Sequence, residues 1–158
     1  MKRIVFVLSL LVVFSCGSLF AQANPFVGTW KLNVAKSKFD PGPAPKSQTR
    51  TVVAQGDGAT YTFDGVAADG KSFSYTFTVK YDGKDYPVTG TGMPGGADTI
   101  AIKLVGTNKG EATEKKGGKE VGKAEAEVSK DGKVTTVKLK GKTLDGKEFH
   151  SEAVYDKQ

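Results

Sequence analysis

The sequence predicts an all-β domain, an antiparallel meander closed into a barrel of about eight to ten short strands. Two observations predict it. Apolar and polar residues alternate in many short runs, with the period of two that a half-buried strand shows. The runs are separated by turn dipeptides, Asp-Gly at 57, 64, 69, 82, 131 and 145 and Gly-Gly at 95 and 117, which tolerate the positive φ of tight hairpins.

Residues 1–23 precede this domain and are predicted to be a signal peptide. Lys2 and Arg3 give a positive start, residues 4–14 are almost entirely apolar, and Ala21-Gln22-Ala23 supplies a small-x-small cleavage pattern. The apolar run is shorter than the ~20 residues of a membrane-spanning helix. We therefore expect a periplasmic or secreted protein without a transmembrane segment, in which residues 24–158 form one domain.

The single cysteine, Cys16, allows an alternative to ordinary cleavage. Residues 13–17 loosely resemble the lipobox at which bacterial lipoproteins are cut and acylated, and cleavage there would leave a lipid anchor on Cys16. Bulky Phe14 fits that motif poorly, whereas Ala21 and Ala23 fit cleavage after residue 23. That cleavage removes the cysteine, so we expect neither disulfides nor thiol chemistry.

The clearest strand covers residues 71–81, where aromatic residues and Val79 alternate with Ser, Thr and Lys. Weaker alternation predicts further strands at 29–34, 49–55, 59–64, 86–89, 98–106, 111–116, 119–130, 133–140 and 147–155. Residues 34–39 favour at most about one helical turn, and the prolines at 41, 43 and 45 predict an extended strap after it. Closure into a barrel removes the open sheet edges; a two-sheet sandwich is the alternative that periodicity cannot separate.

The segment "FVGTWK" at residues 26–31 contains the only tryptophan, Trp30, two residues after Gly28. It resembles the Gly-x-Trp signature that opens the first strand of lipocalins and their calycin relatives. The resemblance implies a lipocalin-like barrel whose closed end is filled by Trp30, with Gly28 letting the backbone pass close beneath. In lipocalins a basic residue from a late strand covers this tryptophan. Arg50 lies early in the chain, which leaves Lys138 or Lys140 as substitutes.

Longer segments extend the resemblance over nearly the whole domain. The segments "NPFVGTWKLNVAKSKFDPGPAPKSQT", "YDGKDYPVTG", "VSKDGK" and "AVYDKQ" are similar to a group of small exported bacterial lipocalin-like proteins. That group is largely uncharacterised, so the resemblance implies a fold more than a function.

Catalytic and metal sites are not expected. His150 is the only histidine, so two-histidine metal motifs cannot form, and Ser151 points to the opposite face of its strand. Nitrobindin-like barrels, also calycin relatives, bind haem through one late histidine, but His150 shares a polar face with Glu148 and Glu152. We therefore predict that it faces solvent and that the protein uses no cofactor.

Three further sequence patterns resemble functional motifs but are interpreted without a function. Residues 90–95 match G-x-G-x-x-G, but Pro94 interrupts them and a strand follows instead of a helix, so they predict a loop at the barrel mouth. Glu125 and Glu127 share a strand face opposite alanines and are expected to face solvent. Lysines are interspersed with acidic residues over 103–147, where aromatics are scarce, which argues against nucleic-acid binding.

The aromatic residues of two neighbouring strands are the candidate ligand-binding site. They should form one wall inside the barrel, because an exposed wall would be a large apolar patch: Tyr61, Phe63, Phe73, Tyr75, Phe77 and Tyr81. Small residues are expected to face it, namely Ala101, Ala112, Ala124 and Ala126. These side chains either pack the core or line a cavity in which tyrosine hydroxyls meet a ligand.

The sequence thus predicts an exported, non-enzymatic binding protein for a small hydrophobic or amphipathic ligand inside a β-barrel. The alternative is a filled barrel that acts as an envelope or secreted interaction module, with lysine-rich strands contacting an acidic partner.

Overall fold

The computed structural model describes residues 24–143 and 145–158. It contains eleven strands in one sheet: β1 (Gly28–Leu32), β2 (Lys38–Asp40), β3 (Ser47–Gln55), β4 (Gly58–Val66), β5 (Ser72–Val79), β6 (Tyr86–Thr91), β7 (Thr99–Leu104), β8 (Lys109–Lys116), β9 (Lys119–Val128), β10 (Val134–Lys142) and β11 (Glu148–Lys157). Two 3₁₀ helices, Val34–Lys36 and Pro94–Gly96, interrupt the strands. The predicted signal peptide and the alternative lipid anchor at Cys16 lie outside the described residues.

The strands form a closed antiparallel barrel, as predicted. From β3 onward each strand pairs with the next in sequence, and β1 closes the ring by pairing with both β3 and β11. The short β2 pairs with the first half of β11, beyond the stretch that β1 occupies. Ten strands form the closed ring, which confirms the predicted all-β barrel. The alternative, a two-sheet sandwich, is not observed in the described residues.

The segment between β1 and β2 is the one helical turn that the sequence predicts. The side chain of Asn33 accepts a hydrogen bond from the backbone N–H of Lys36 at 3.1 Å and caps the 3₁₀ helix Val34–Lys36. The chain then adds β2, which was not predicted, before the irregular residues 41–46 lead into β3. The turn places β2 farther along the same edge of β11, so that β11 pairs with β2 in its first half and with β1 near its end.

The prediction for residues 71–81 is wrong at its C-terminal end. β5 ends at Val79, and Tyr81 adopts a positive φ of 57° within the turn that follows. Its side chain therefore leaves the alternation of the strand. The register across β4 and β5 is regular before this point and places Tyr61 opposite Phe77 and Phe63 opposite Tyr75.

Candidate functional site

The floor of the barrel is built around Trp30. Its side chain is fully buried, and its indole Nε1 donates a hydrogen bond to the carbonyl oxygen of Phe26 at 2.9 Å. Gly28 enters the floor with a φ of 133°, a conformation that residues with a side chain rarely adopt. A Cβ at this position would also lie 3.0 Å from Cε of Lys157.

Arg50 is the basic residue that covers Trp30. It is only 3 % exposed and lies directly opposite Trp30 in the register of β1 and β3. Its Cζ lies between 5.5 and 6.0 Å from four ring centroids, those of Phe26, Trp30, Tyr61 and Tyr155. We call this cluster the aromatic cage; such contacts stabilise a desolvated cation.

The expectation that Lys138 or Lys140 covers the tryptophan is wrong. Both side chains are exposed on β10. The late strand does contribute a cation, but it is Lys157, whose Nζ lies 5.1 Å from the Trp30 ring. Barrel closure brings β3 and β11 to the two sides of β1, so an early and a late residue reach the same ring.

The tyrosines of the cage stay neutral. Burial raises the pKa of Tyr155 to about 12, and burial together with Tyr81 raises the pKa of Tyr61 well above its usual range. Burial also lowers the pKa of Arg50, although a guanidinium remains charged at physiological pH. Within the described residues, Arg50 is therefore surrounded by aromatic faces and neutral hydroxyls without a paired carboxylate, and its Nε and Nη2 atoms make no hydrogen bond.

A mainly apolar cavity of about 150 Å³ lies inside the barrel, above this floor. Four residues of the predicted aromatic wall line it, in two stacked pairs. The ring centroids of Tyr61 and Phe77 are 5.1 Å apart, and those of Phe63 and Tyr75 are 4.7 Å apart. The opposite side is lined by small and aliphatic residues, which include Ile100, Ile102, Ala112, Ala124, Ala126, Val137 and Leu139.

Phe73 and Tyr81 extend the wall beyond the cavity without lining it. The Phe73 ring packs at the mouth, over its cross-strand partner Gly65, and borders a surface groove with Pro43 and Pro45. At the other end, the Tyr81 hydroxyl lies 2.9 Å from the hydroxyl of Tyr61 and accepts a hydrogen bond from Asn24 at 2.7 Å.

The glycine-rich loop and Ala101 were both predicted to lie near the barrel interior, and their positions differ. Met93 and Pro94, from the glycine-rich loop, line it, so the loop lies at the barrel mouth. Ala101 does not line it, because its neighbours Ile100 and Ile102 point inward on β7.

His150 and the two glutamates of β9 lie on the outer surface. His150 is exposed, and its Nε2 is 3.3 Å from a carboxylate oxygen of Asp40. Glu125 and Glu127 are exposed as well. Within residues 24–143 and 145–158, no three His, Cys, Asp or Glu side chains come together where they would hold a metal ion.

The sequence interpretation missed the one buried carboxylate of the site, Glu114. It is 5 % exposed and lines the cavity from β8. Strand alternation could have identified it, because residues 112 and 114 lie on the same face of the strand and Ala112 was expected to point inward. Burial raises its pKa to about 7.

The closed ten-stranded barrel and its internal cavity fit a calycin-like fold. No protein-family model and no curated protein matches the sequence. Among solved structures, the chain is similar to zebrafish ileal bile acid-binding protein complexed with cholic acid, with a TM-score of 0.52 and 15% identity over 85% of this chain and 99% of that one. It is also similar to Rv2717c from M. tuberculosis, with a TM-score of 0.51 and 19% identity over 85% and 93% of the two chains. These similarities support the fold.

In the described part of the chain, the structure has no helix with the length and apolar character needed to cross a bilayer.

Proposed function

We propose that this protein is an exported, non-enzymatic barrel that binds a small hydrophobic or amphipathic molecule in its cavity. The observation that carries the proposal is the cavity itself, an apolar space between two stacked aromatic pairs and a wall of small residues. Stacked rings offer flat apolar faces to a ligand, and the few polar groups of such a site set its orientation.

The cavity volume limits the size of the ligand. About 150 Å³ is below the roughly 300–1,000 Å³ of pockets for drug-sized molecules, but a cavity of this volume is known to hold a benzene ring. We therefore propose a ligand of about one ring or a short chain. The structural similarity to a bile acid-binding protein complexed with cholic acid supports a ligand-binding role and does not specify the ligand of this chain.

A binding role is favoured over catalysis by the arrangement of polar groups. A nucleophile needs a base within hydrogen-bonding reach. Ser151 lines the cavity, but in the described residues no hydrogen bond joins its hydroxyl to a carboxylate or to His150. Export is proposed from the predicted signal peptide at residues 1–23 and from the resemblance to small exported lipocalin-like proteins.

The test begins with the full chain expressed with its own N-terminal segment. Intact mass of the exported protein distinguishes cleavage after Ala23 from acylation at Cys16. Native mass spectrometry then detects a co-purified ligand, and an NMR titration with toluene reports on the cavity. We expect toluene to shift backbone amide signals of cavity-lining residues.

A cavity-filling variant provides the control. Ala124→Leu places a larger side chain in the cavity, whereas Ala54→Leu makes the same change at an exposed position of β3. Toluene should bind the Ala54 variant like the wild type and lose binding to the Ala124 variant. Absence of binding to the wild type, or equal binding to both variants, would overturn the proposed function.

A further inference from the structure

Glu114 is a charged side chain placed on the inner face of the barrel. On β8 it follows Gly110 and Ala112 in the alternation that lines the cavity. Its cross-strand partners are Ile100 on β7 and Gly122 on β9, and neither offers a polar side chain. The carboxyl group therefore sits in an apolar part of the wall.

Among the described residues, the carboxylate has no hydrogen-bonding or ion-pair partner. Its Oε2 atom is buried and makes no hydrogen bond within the described part of the chain. Tyr75 on β5 is the titratable residue whose pKa responds to Glu114, but the two side chains make no hydrogen bond. Lys115, the next residue, pairs with Asp85 at 2.7 Å and is not available. A buried acceptor without a donor costs free energy that a ligand can recover.

Space for this carboxylate is provided by Gly122. A Cβ at position 122 would lie 2.8 Å from Oε2 of Glu114 and 3.3 Å from Cδ1 of Leu139. The glycine thus leaves room for the carboxyl group to lie within the wall of the cavity that Glu114 lines.

We propose that the carboxyl group of Glu114 accepts a hydrogen bond from the hydroxyl group of an uncharged, single-ring ligand bound in the cavity. This inference rests on the proposed function and specifies the chemistry of its ligand. A hydroxyl suits the carboxyl group in either protonation state, since the protonated form both donates and accepts. An ammonium group suits the site less well, because the Arg50 cation lines the same cavity.

Three probes of similar size test the ligand class by NMR titration of the purified protein. Toluene has no polar group, benzyl alcohol adds a hydroxyl and benzylamine adds an ammonium. The wild type should bind benzyl alcohol about tenfold more tightly than toluene, the fold-change of one hydrogen bond to a buried carboxylate. Benzylamine should bind more weakly than benzyl alcohol.

Variants locate the effect at Glu114. Glu114→Met keeps an unbranched side chain of similar length without the acceptor and should remove the preference for benzyl alcohol while toluene binding remains. Glu125→Met makes the same change on the outer surface of β9 and should leave the preference unchanged. Glu114→Gln retains an acceptor and should retain part of the preference, which also covers the case in which the methionine variant fails to fold.

Equal binding of toluene and benzyl alcohol to the wild type, or a preference that survives in Glu114→Met, would overturn this inference and leave the proposed function intact. Stronger binding of benzylamine than of benzyl alcohol would also overturn it. Failure of all three probes to bind would overturn the proposed function instead.

Discussion

Arg50 and Glu114 are the two buried side chains of the described residues that can carry a charge near neutral pH, and their surroundings differ. At the floor, Arg50 lies among the four rings of the aromatic cage. On the wall, Glu114 lies opposite Gly122 with Oε2 unpaired within the described residues. Both groups have buried atoms without a hydrogen-bond partner in the described residues, Nε and Nη2 of Arg50 and Oε2 of Glu114. The guanidinium, however, is surrounded by aromatic faces, whereas the carboxyl group lies beside Ile100 and Gly122. We therefore propose a structural role for the floor and a ligand-contacting role for the wall.

The largest effect is expected from the residue that anchors the floor. Trp30→Ala removes a fully buried indole and its hydrogen bond to Phe26, and we expect it to lower the free energy of unfolding by about 4 kcal/mol. Urea unfolding followed by circular dichroism measures this loss. Trp30→Phe retains an aromatic ring and should lose less. Equal, small losses in both variants would show that the floor is not the main packing element.

The second effect concerns the wall and depends on pH. Burial raises the pKa of Glu114 from 4.5 to about 7, so the folded state binds its proton more tightly than the unfolded state. The resulting stability is fully present below about pH 4.5 and is lost as the pH rises to about 7. It amounts to about 3 kcal/mol, and the loss levels off at higher pH.

Comparison with Glu114→Gln isolates this contribution from the other carboxylates. The amide of the variant stays neutral. Raising the pH from 4.5 to 8 should therefore lower the free energy of unfolding of the wild type by about 3 kcal/mol more than that of the variant. The cross-strand partners Ile100 and Gly122 have no titratable side chain, and burial raises the pKa of Tyr75, so that it stays neutral in this interval. Glu125→Gln on the outer surface is the matched control. A difference that does not vary with pH would contradict an unpaired, buried Glu114.

The sequence predicted the barrel and much of its aromatic wall for a physical reason. Strict alternation over residues 71–79 assigns one face to the interior once the sheet closes, so Tyr75 and Phe77 were placed correctly inside. Tyr81 lies beyond the end of β5 with a positive φ, which periodicity does not register, and its side chain packs against the core from the following turn.

The two buried charges could not be assigned from the alternation alone. Arg50 was set aside because it lies early in the chain, yet closure places β3 beside β1 and brings Arg50 opposite Trp30. Strand order around a ring is a tertiary property that is not encoded in the spacing. Glu114 was missed because its own face of β8 combines Gly110 and Ala112 with the charged residues Glu114 and Lys116, so hydrophobicity alone identifies that face poorly.

The third effect tests whether the aromatic cage compensates the charge of Arg50. Arg50→Met preserves an apolar stem and removes the cation, and we expect a loss of about 2 kcal/mol in the free energy of unfolding. Lys157→Met removes the second, more exposed cation near Trp30 and should cost less. A methionine variant as stable as the wild type would show that the desolvation cost of the guanidinium cancels the attraction of the rings.

The smallest effect concerns the tyrosine that lies beyond the cavity at the floor. Tyr81→Phe removes the hydroxyl that contacts Tyr61 at 2.9 Å and Asn24 at 2.7 Å and should lower the free energy of unfolding by about 1 kcal/mol. Because Tyr81 does not line the cavity, toluene binding should be unchanged. Tyr61→Phe removes the other hydroxyl of the same pair, and Tyr61 lines the cavity. A change in toluene binding that occurs only in the Tyr61 variant would separate the structural floor from the ligand-facing wall. An equal change in both variants would mean that floor and cavity act as one unit.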